Sequence, residues 1–350
     1  MRAEIKFSSK RFLMSLTLCA CSVILLQSFD LAPASFLFDL LCVGVGLGLC
    51  FLLFLPTALL KKRCGGDTLS QLGSRSAAER RAVAAVYCAY AIFAALYFLL
   101  PYTDMFCKKY YTETDPCFVA FMLLICCVYA AFKGANVITR FAVFLFALAM
   151  VTNLLLFGGS LSSLRFDEDS FRFEGGIQAF FRNTGYFFTP GFIAVLFTCL
   201  SGYTRNFRLR QPVVALALTG LKFALILFFI AFAVGEYASR QEYQTFLLSR
   251  VAHFGSYAGV ESFYMALSTM SVFMIVSLFL CAICRAVGRN GSLPWIAGFS
   301  AAIFLLRFAA EAFSPLRTVF TDPTVFNALT FLTGAVIPMY YYLKARRQNV

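Results

Sequence analysis

Ten apolar runs divide this 350-residue chain, and each is about as long as a helix must be to cross a lipid bilayer. The gaps between the runs hold prolines and charged side chains, which are typical of helix ends and loops. We therefore predict an all-α polytopic membrane protein in which ten transmembrane helices form a single domain over residues 1–350. The predicted helices cover roughly residues 11–28, 36–60, 82–101, 117–133, 137–158, 186–203, 212–235, 262–284, 293–313 and 324–343.

The composition excludes several other classes of protein. Hydrophobic residues make up 61% of the chain and charged residues 13%, whereas a soluble domain carries about 25% charged residues. His253 is the single histidine, so a zinc site or a Ser-His-Asp triad would have to be built around one side chain. The phosphate-binding pattern G-x-x-x-x-G-K-[ST] does not occur. We expect neither an enzyme nor a bound cofactor or metal.

The net charge of +13 is distributed unevenly over the predicted loops. When successive loops are assigned to alternating faces, 20 of the 30 Lys and Arg residues lie on the face that also holds both termini. Most of the acidic residues lie on the opposite face. Because short cytoplasmic loops of membrane proteins are enriched in Lys and Arg, both termini are predicted to be cytoplasmic. The positive charge therefore indicates membrane topology, and we expect no nucleic-acid partner.

The N-terminal segment has a second interpretation as a signal peptide. Residues 1–21 have a basic start and an apolar run, and residues 18–21 (Leu-Cys-Ala-Cys) loosely resemble a lipoprotein cleavage site. Cys19 fits such a site poorly. Cleavage would also delete one helix and break the alternation of charge between the loops. We therefore favour a first membrane helix.

Four short motifs follow one another in an order known from one family. Pro56 and Thr57 open a stretch that ends at residues 67–74 (Asp-Thr-Leu-Ser-Gln-Leu-Gly-Ser) and is similar to "P-x-x-T-L…LGK". Residues 112–116 (Thr-Glu-Thr-Asp-Pro) resemble a loop turn of that family. Residues 129–140 (Tyr-Ala-Ala-Phe-Lys-Gly-Ala-Asn-Val-Ile-Thr-Arg) resemble its most recognisable run, and residues 246–263 contain a fourth match. On these motifs, the chain resembles the spore germination permeases, the B subunits of GerA-type germinant receptors.

The resemblance implies a fold, partners and a place for the ligand site. That family belongs to the amino acid/polyamine/organocation transporter superfamily, which implies two inverted five-helix repeats with broken first and sixth helices. It also implies A-type and C-type receptor subunits as partners. The chain departs from the family at residues 18–22, where a glycine-rich stretch is expected, and at residues 189–191, where an acidic residue is expected.

The inverted-repeat arrangement directs attention to the first and sixth predicted helices. Such folds bind small solutes near the middle of the membrane, where interrupted helices expose backbone groups. Pro190 removes a backbone donor and Gly191 relaxes the chain, so Thr189, Pro190 and Gly191 predict a break, with a simple proline kink as the alternative. The counterpart in the first helix is a run of small residues, for which close helix packing is the alternative; this run is Cys19, Ala20, Cys21 and Ser22.

Ionisable residues inside apolar runs are further candidates, because charges in a membrane are costly and are usually functional. Lys222 lies about ten residues into the seventh predicted helix, where it could bind a substrate carboxylate or act as a coupling cation. The alternative is a structural lysine that pairs with another helix or extends to the membrane surface. Arg307 and Glu311 are four residues apart on the ninth helix and are predicted to pair with each other.

Hydroxyl and thiol groups complete the set of candidates. Tyr186, Tyr264 and Ser268 are predicted to add ligand contacts, and the last two share one helix face. Hydrogen bonds between helices are the alternative for each of them. Cys107 and Cys117 lie near one loop, where an oxidising exterior would permit a disulfide without requiring it.

Two functions fit these features. The resemblance favours a spore germination permease-like protein of the bacterial cell membrane or inner spore membrane, which senses or transports a small germinant such as an amino acid. The alternative is a stand-alone secondary transporter that couples uptake of amino acids or amines to an ion gradient. The predicted ligand-binding residues are Cys19, Cys21, Ser22, Tyr186, Thr189, Gly191, Lys222, Tyr264 and Ser268.

Overall fold

Helix dominates the computed structural model, which describes residues 7–26, 35–64, 77–166, 173–205, 210–254, 257–258, 260–288 and 291–347. Within these ranges, strand is confined to two pairs of two-residue segments. β1 (Phe7–Ser8) pairs in parallel with β2 (Thr204–Arg205), and β3 (His253–Phe254) pairs antiparallel with β4 (Tyr257–Ala258). The fold is therefore helical in all the parts that can span a membrane.

Five long helices occupy the first half of the chain. Each forms over an apolar run, since a helix satisfies its own backbone hydrogen bonds where no water is available. They are α1 (Ser9–Leu26), α2 (Phe36–Cys64), α3 (Ala77–Lys109), α4 (Pro116–Lys133) and α5 (Ala135–Ser160).

The second half contains more interruptions. A 3-10 turn (Thr189–Gly191) joins α6 (Ile177–Phe188) to α7 (Phe192–Leu200). The remaining helices are α8 (Arg210–Phe229), α9 (Gln244–Val251), α10 (Glu261–Ala286), α11 (Leu293–Ala312), α12 (Ser314–Thr321), α13 (Pro323–Phe331) and α14 (Ile337–Arg347). A π-helical turn (Ile230–Val234) and a 3-10 segment (Gly235–Arg240) follow α8, and another π-helical turn (Leu332–Val336) lies between α13 and α14 without a break in the helical backbone.

Nine helices within the described ranges are long and apolar enough to cross a membrane. They are α1 to α5, the continuous α6–α7 span, α8 with its π-helical turn, α10 and α11. The tenth predicted helix coincides with α13, the second π-helical turn and α14. None of these three pieces alone has the length that a bilayer requires.

Two helix starts are set by the same Asp-Pro dipeptide. The carboxylates of Asp115 and Asp322 accept hydrogen bonds from the N–H groups of Cys117 and Thr324, both at 2.7 Å, and a proline follows each aspartate. Gly134, with φ of 94°, allows the chain to turn from α4 into α5 after one residue. We call the end of the bundle near Asp115 and Asp322 the upper end, and the end near Gly134 the lower end.

The most enclosed helices are α1, α3, α10 and the α6–α7 span, and α4, α5 and α11 expose much of their apolar surface. α10 packs along α3, α4 and α5, and α1 packs against α5, α8 and α10. Rings fill the centre: Phe98, Phe192 and Phe326 have centroids 4.9 to 6.3 Å apart. This cluster holds α7 against α3 and α13.

A glycine allows α2 to pack closely on α6. A Cβ atom added to Gly46 would lie 2.8 Å from the carbonyl carbon of Phe187, which is closer than real Cβ atoms approach backbone. Gly44 and Gly48 on the same helix have no heavy atom within 4 Å of the corresponding position. Only one glycine of the three is therefore required by this packing.

Gly46→Ala is expected to lower the free energy of unfolding by about 1–3 kcal/mol, because the methyl group meets backbone that cannot move aside. Gly44→Ala and Gly48→Ala are the matched controls and should be neutral or slightly stabilising, since alanine favours helix. Thermal unfolding of the purified protein in detergent measures all three. Equal melting temperatures for the three variants would contradict the close contact between α2 and α6.

Candidate functional site

A cleft of about 1340 Å³ opens at the upper end of the bundle. It runs down between α2, α3, α6 and α13, and residues 241–243 form part of its rim. Small-molecule sites usually measure roughly 300–1,000 Å³, so the cleft has room for a small ligand and an entry path. Much of its wall is aromatic, formed by Tyr97, Phe181, Tyr186, Phe188, Tyr243 and Phe331.

Charged side chains form a network at the mouth of the cleft. Asp104 on α3 accepts hydrogen bonds from Arg307 on α11, at 3.4 Å, and from Arg317 on α12. Arg307 is fully buried and is also paired with Glu311. A buried guanidinium is stable only when partners compensate its lost hydration, so these contacts fix α11 and α12 against α3.

The interruption of the α6–α7 span originates from the missing backbone donor of Pro190. In a regular helix, the N–H of residue 190 would bind the carbonyl of Tyr186. Here the N–H of Thr189 binds that carbonyl in a tighter 3-10 geometry. The carbonyl of Gly185, which Thr189 would serve in a regular α-helix, is left without its helical donor.

Side chains from two neighbouring helices donate hydrogen bonds to carbonyls at the interruption. Asn327 on α13 donates through Nδ2 to the carbonyl oxygen of Gly185 at 2.5 Å. The thiol of Cys50 on α2 donates to the carbonyl oxygen of Phe188 at 3.2 Å. Gly191 lies so close to α2 that a Cβ atom there would meet a leucine methyl group at 2.7 Å. The interruption is therefore enclosed by α2 and α13.

Below the cleft, α3 is hydrogen-bonded to the last helical segments. Tyr87 donates to the carbonyl of Thr333 in the π-helical turn at 2.9 Å, and the hydroxyls of Tyr90 and Thr330 lie 2.8 Å apart. At the lower end, Glu79 accepts a hydrogen bond from Lys344 of α14 at 2.7 Å. These contacts hold the lower parts of α3 and α14 together, whereas the cleft separates the elements above them.

Three predicted site residues lie at the interruption. Tyr186 lines the cleft, and Thr189 and Gly191 belong to the 3-10 turn. Thr189 is fully buried, and its hydroxyl oxygen has no hydrogen-bond partner in the part of the chain that the structure describes. The break predicted from Pro190 and Gly191 thus takes the form of one 3-10 turn within a continuous span.

The other six predicted residues form a separate cluster around α1. All six are buried, and none is among the described residues that line the cleft. They lie on α1 and on the two helices α8 and α10, each of which packs against α1. The cluster consists of Cys19, Cys21 and Ser22 on α1, Lys222 on α8, and Tyr264 and Ser268 on α10.

α1 itself is a regular α-helix from Ser9 to Leu26. The break predicted at residues 19–22 is wrong, because Cys, Ala and Ser keep their backbone donors and sustain a helix. Ser22 donates its hydroxyl to the carbonyl of Leu18 at 2.5 Å, which is a bond within one helix turn.

Hydrogen bonds tie this cluster together across helices. The thiol of Cys21 donates to the hydroxyl of Thr219 on α8 at 3.6 Å. Tyr264 donates to the carbonyl of Leu25, in the last turn of α1, at 2.6 Å. Ser268 donates back to the carbonyl of Tyr264 at 2.8 Å. The hydroxyl groups of Tyr264 and Ser268 are therefore committed to helix contacts in this structure.

Lys222 is buried with 8% of its surface exposed, on the face of α8 that meets Cys21. Among the described residues, no carboxylate lies within ion-pair distance of its ammonium group. A buried cation without an anion is costly in an apolar surrounding. Lys222 is therefore the residue of this cluster with the strongest physical reason to have a function.

Two smaller predictions concern contacts at the upper end. The predicted pairing of Arg307 with Glu311 is confirmed, and Asp104 joins it as a further partner. Cys107 and Cys117 are both buried free thiols. Within the described ranges, no group of three or more His, Cys, Asp or Glu side chains could hold a metal ion.

Three residues of the cleft are absent from the site predicted from the sequence, namely Asp104, Arg317 and Asn327. Asp104 lies beyond the predicted end of the third helix at residue 101, but α3 continues to Lys109. Asn327 is a lone amide in an apolar run, and that polarity was an available signal. The contact of Arg317 with Asp104 joins residues 213 positions apart, so no local pattern indicates it.

The helices and the cleft first define a class: a multi-pass helical membrane protein with a cleft between its helices. The model of the spore permease family, described as spore germination protein, matches residues 46–289, and the chain belongs to this family. No curated protein matches the chain significantly. Membership in a permease family indicates a transporter or receptor rather than an enzyme.

Proposed function

We propose that this protein senses or transports a small nutrient germinant, in the first instance an amino acid, as part of a spore germinant receptor. The observation that carries the proposal is the upper cleft, which reaches the interrupted α6–α7 span in a chain of the spore germination family. Interrupted helices beside a cleft are where permease folds bind small solutes.

The chemistry of the cleft suits a zwitterion such as an amino acid. Carboxylates and cations both line it, so neither sign of charge dominates the entrance; they are Asp104 and Glu242, and Lys108, Arg182 and Arg317. Deeper in, the wall is aromatic and apolar, with Asn327 and Gly185 among the few polar contributors. An amino acid matches this combination of charged ends and an apolar side chain.

For the topology, we propose ten spanning helices arranged as two inverted repeats of five, with both termini in the cytoplasm. α13, the π-helical turn and α14 run without a break from Pro323 to Arg347. At about 1.5 Å per residue, such a path is long enough for the apolar core of a membrane, which is about 30 Å thick. The upper end then faces outward, and the cleft is open to the outside of the inner spore membrane.

Alkaline phosphatase fused after Val350 should be inactive and green fluorescent protein at the same position fluorescent, because ten helices return the C-terminus to the cytoplasm. Phosphatase fused after Asp115 should be active, because this residue lies in an upper loop. Active phosphatase after Val350 would mean an odd number of spans and would overturn the proposed topology.

Gly185→Leu is expected to abolish the response to the germinant at unchanged protein level, because the new side chain fills the cleft. A Cβ atom at Gly185 would meet no heavy atom within 4 Å, so the new side chain starts in open space at the cleft wall. The matched control is Gly298→Leu on the exposed surface of α11, where the space is equally open. The measurement is nutrient-induced germination of a deletion strain complemented with each variant.

A normal response of the Gly185→Leu strain would remove the cleft from the proposal. Normal germination of the deletion strain with every nutrient tested would overturn the proposed function itself. The expected A-type and C-type partners are tested in parallel, since receptor function requires that deletion of either partner gene gives the same loss of response.

We propose that Lys222 serves as a fixed charge on which ligand response or ion coupling depends. This second region supports the alternative of a stand-alone ion-coupled transporter, because a buried cation without an anion is a place where ion movement can be coupled. Solute uptake by the purified protein alone in liposomes would favour that alternative over a receptor that needs partners.

Lys222→Met is expected to reduce the germination response or the uptake at least about tenfold while membrane insertion is retained, because it removes the buried charge at similar length. Leu221→Met is the control, since residue 221 is largely exposed on the same helix. Thr189→Ala and Gly191→Leu test the interruption in the same assay. Wild-type behaviour of all three site variants would refute the role of the predicted residues.

A further inference from the structure

Asn327 has two hydrogen-bonding groups, and only one of them is used in this structure. Its Nδ2 donates to the carbonyl oxygen of Gly185 at 2.5 Å. Its Oδ1 is buried and has no hydrogen-bond partner among the described residues. The side chain as a whole is 9% exposed and lies in the wall of the cleft. A buried acceptor without a donor destabilises the form in which it occurs.

The comparison with Cys50 shows that carbonyl capping alone does not require an amide. Cys50 donates to another carbonyl at the interruption, that of Phe188, through a single thiol group. A serine or threonine could do the same for Gly185. Asparagine brings an additional acceptor to this position, and the described residues do not use it. The unused acceptor therefore points to a donor beyond the described residues, which a bound ligand can supply.

The cleft reaches the backbone at this point. Gly185 lines the cleft, and a Cβ atom added to it would meet no heavy atom within 4 Å. The Gly185 carbonyl oxygen also keeps a second lone pair after it accepts from Asn327. Two acceptors thus belong to this point of the wall: the carbonyl of Gly185 and the buried Oδ1 of Asn327, whose amide nitrogen binds that carbonyl.

We infer that Asn327 determines the specificity of the cleft and recognises the ammonium group of the ligand through a hydrogen bond. An ammonium group has three donors and can serve two adjacent acceptors, whereas a hydroxyl group has one. The ligand supplies the missing donor to Oδ1 as α13 and α6 adjust around it, and Nδ2 remains the link to Gly185. The inference rests on the proposed function, since it concerns the ligand of that same cleft.

Asn327 also lies outside residues 46–289, the part of the chain that the family model matches. The contacts of Asn327 in this chain are therefore the basis for its role.

A ligand held at Asn327 contacts α13 and α6 together. Its binding is therefore transmitted to the interrupted span through the hydrogen bond between Asn327 and Gly185.

The test compares amino acids with the 2-hydroxy acids that replace the ammonium group by a hydroxyl group. The full-length protein, purified in detergent, is screened by thermal shift with the twenty protein amino acids. Each amino acid that binds is then titrated calorimetrically against its 2-hydroxy acid, for example L-alanine against L-lactate. The variants are Asn327→Leu, which removes both groups, and Asn327→Ser, which keeps a donor for Gly185 and removes the amide acceptor.

Wild-type protein is expected to prefer the amino acid, and both variants should lose about tenfold in amino-acid affinity, equivalent to about 1.4 kcal/mol. Their affinity for the 2-hydroxy acid should stay within about twofold of wild type. Asn327→Asp should keep the preference for the ammonium group, because it keeps the acceptor. Thr318→Val, at an exposed position of α12 that does not line the cleft, is the control and should bind both compounds as wild type does.

If Asn327→Leu fails to fold, Asn327→Ser still tests the inference, because its hydroxyl group can donate to the carbonyl of Gly185. An equal loss for the amino acid and the 2-hydroxy acid would show a merely structural role and overturn the inference, while the proposed function would stand. Absence of binding by any amino acid to the wild-type protein would overturn both.

Discussion

The structure depends on one constraint, which is that every backbone carbonyl inside a membrane needs a donor. A single proline removes one N–H group from the α6–α7 span, and the surrounding helices are arranged to compensate. Asn327 and Cys50 donate to the carbonyls of Gly185 and Phe188, and Gly191 allows α2 to approach closely enough. Because lipid offers no donor, the interruption can exist only where α2 and α13 enclose it. The position of the cleft follows from this enclosure.

The two ends of the bundle are held in different ways. At the upper end, ion pairs centred on Asp104 and Arg307 fix α11 and α12 beside the cleft. At the lower end, Glu79 and the hydroxyl groups of α3 bind the final helical segments directly. The helices are thus in direct contact at the lower end and separated by the cleft at the upper end. In this arrangement, the interrupted span contacts both the cleft and the tightly packed centre, as α3 and α13 also do.

Most of the fold could be predicted from the sequence, because apolar length and loop charge act locally. Apolar runs indicate membrane helices wherever they occur, and Pro190 with Gly191 indicates the interruption. The site was less predictable, since its residues come from helices far apart in the sequence. Lys222 and Tyr264 stood out as polar residues in apolar runs, yet they lie with α1 and not in the cleft. Asn327 carried the same signal, but only its contact with Gly185 distinguishes it.

The 3-10 turn also changes the direction in which the two halves of its span face. A residue turns the helix by about 120° in 3-10 geometry and by about 100° in α geometry, so three residues add about 60° of rotation. α6 packs mainly against α2, whereas α7 packs most extensively against α10 and also contacts α1 and α2. The two halves of one membrane span therefore pack against different sets of helices. A regular helix would present the same face along its whole length.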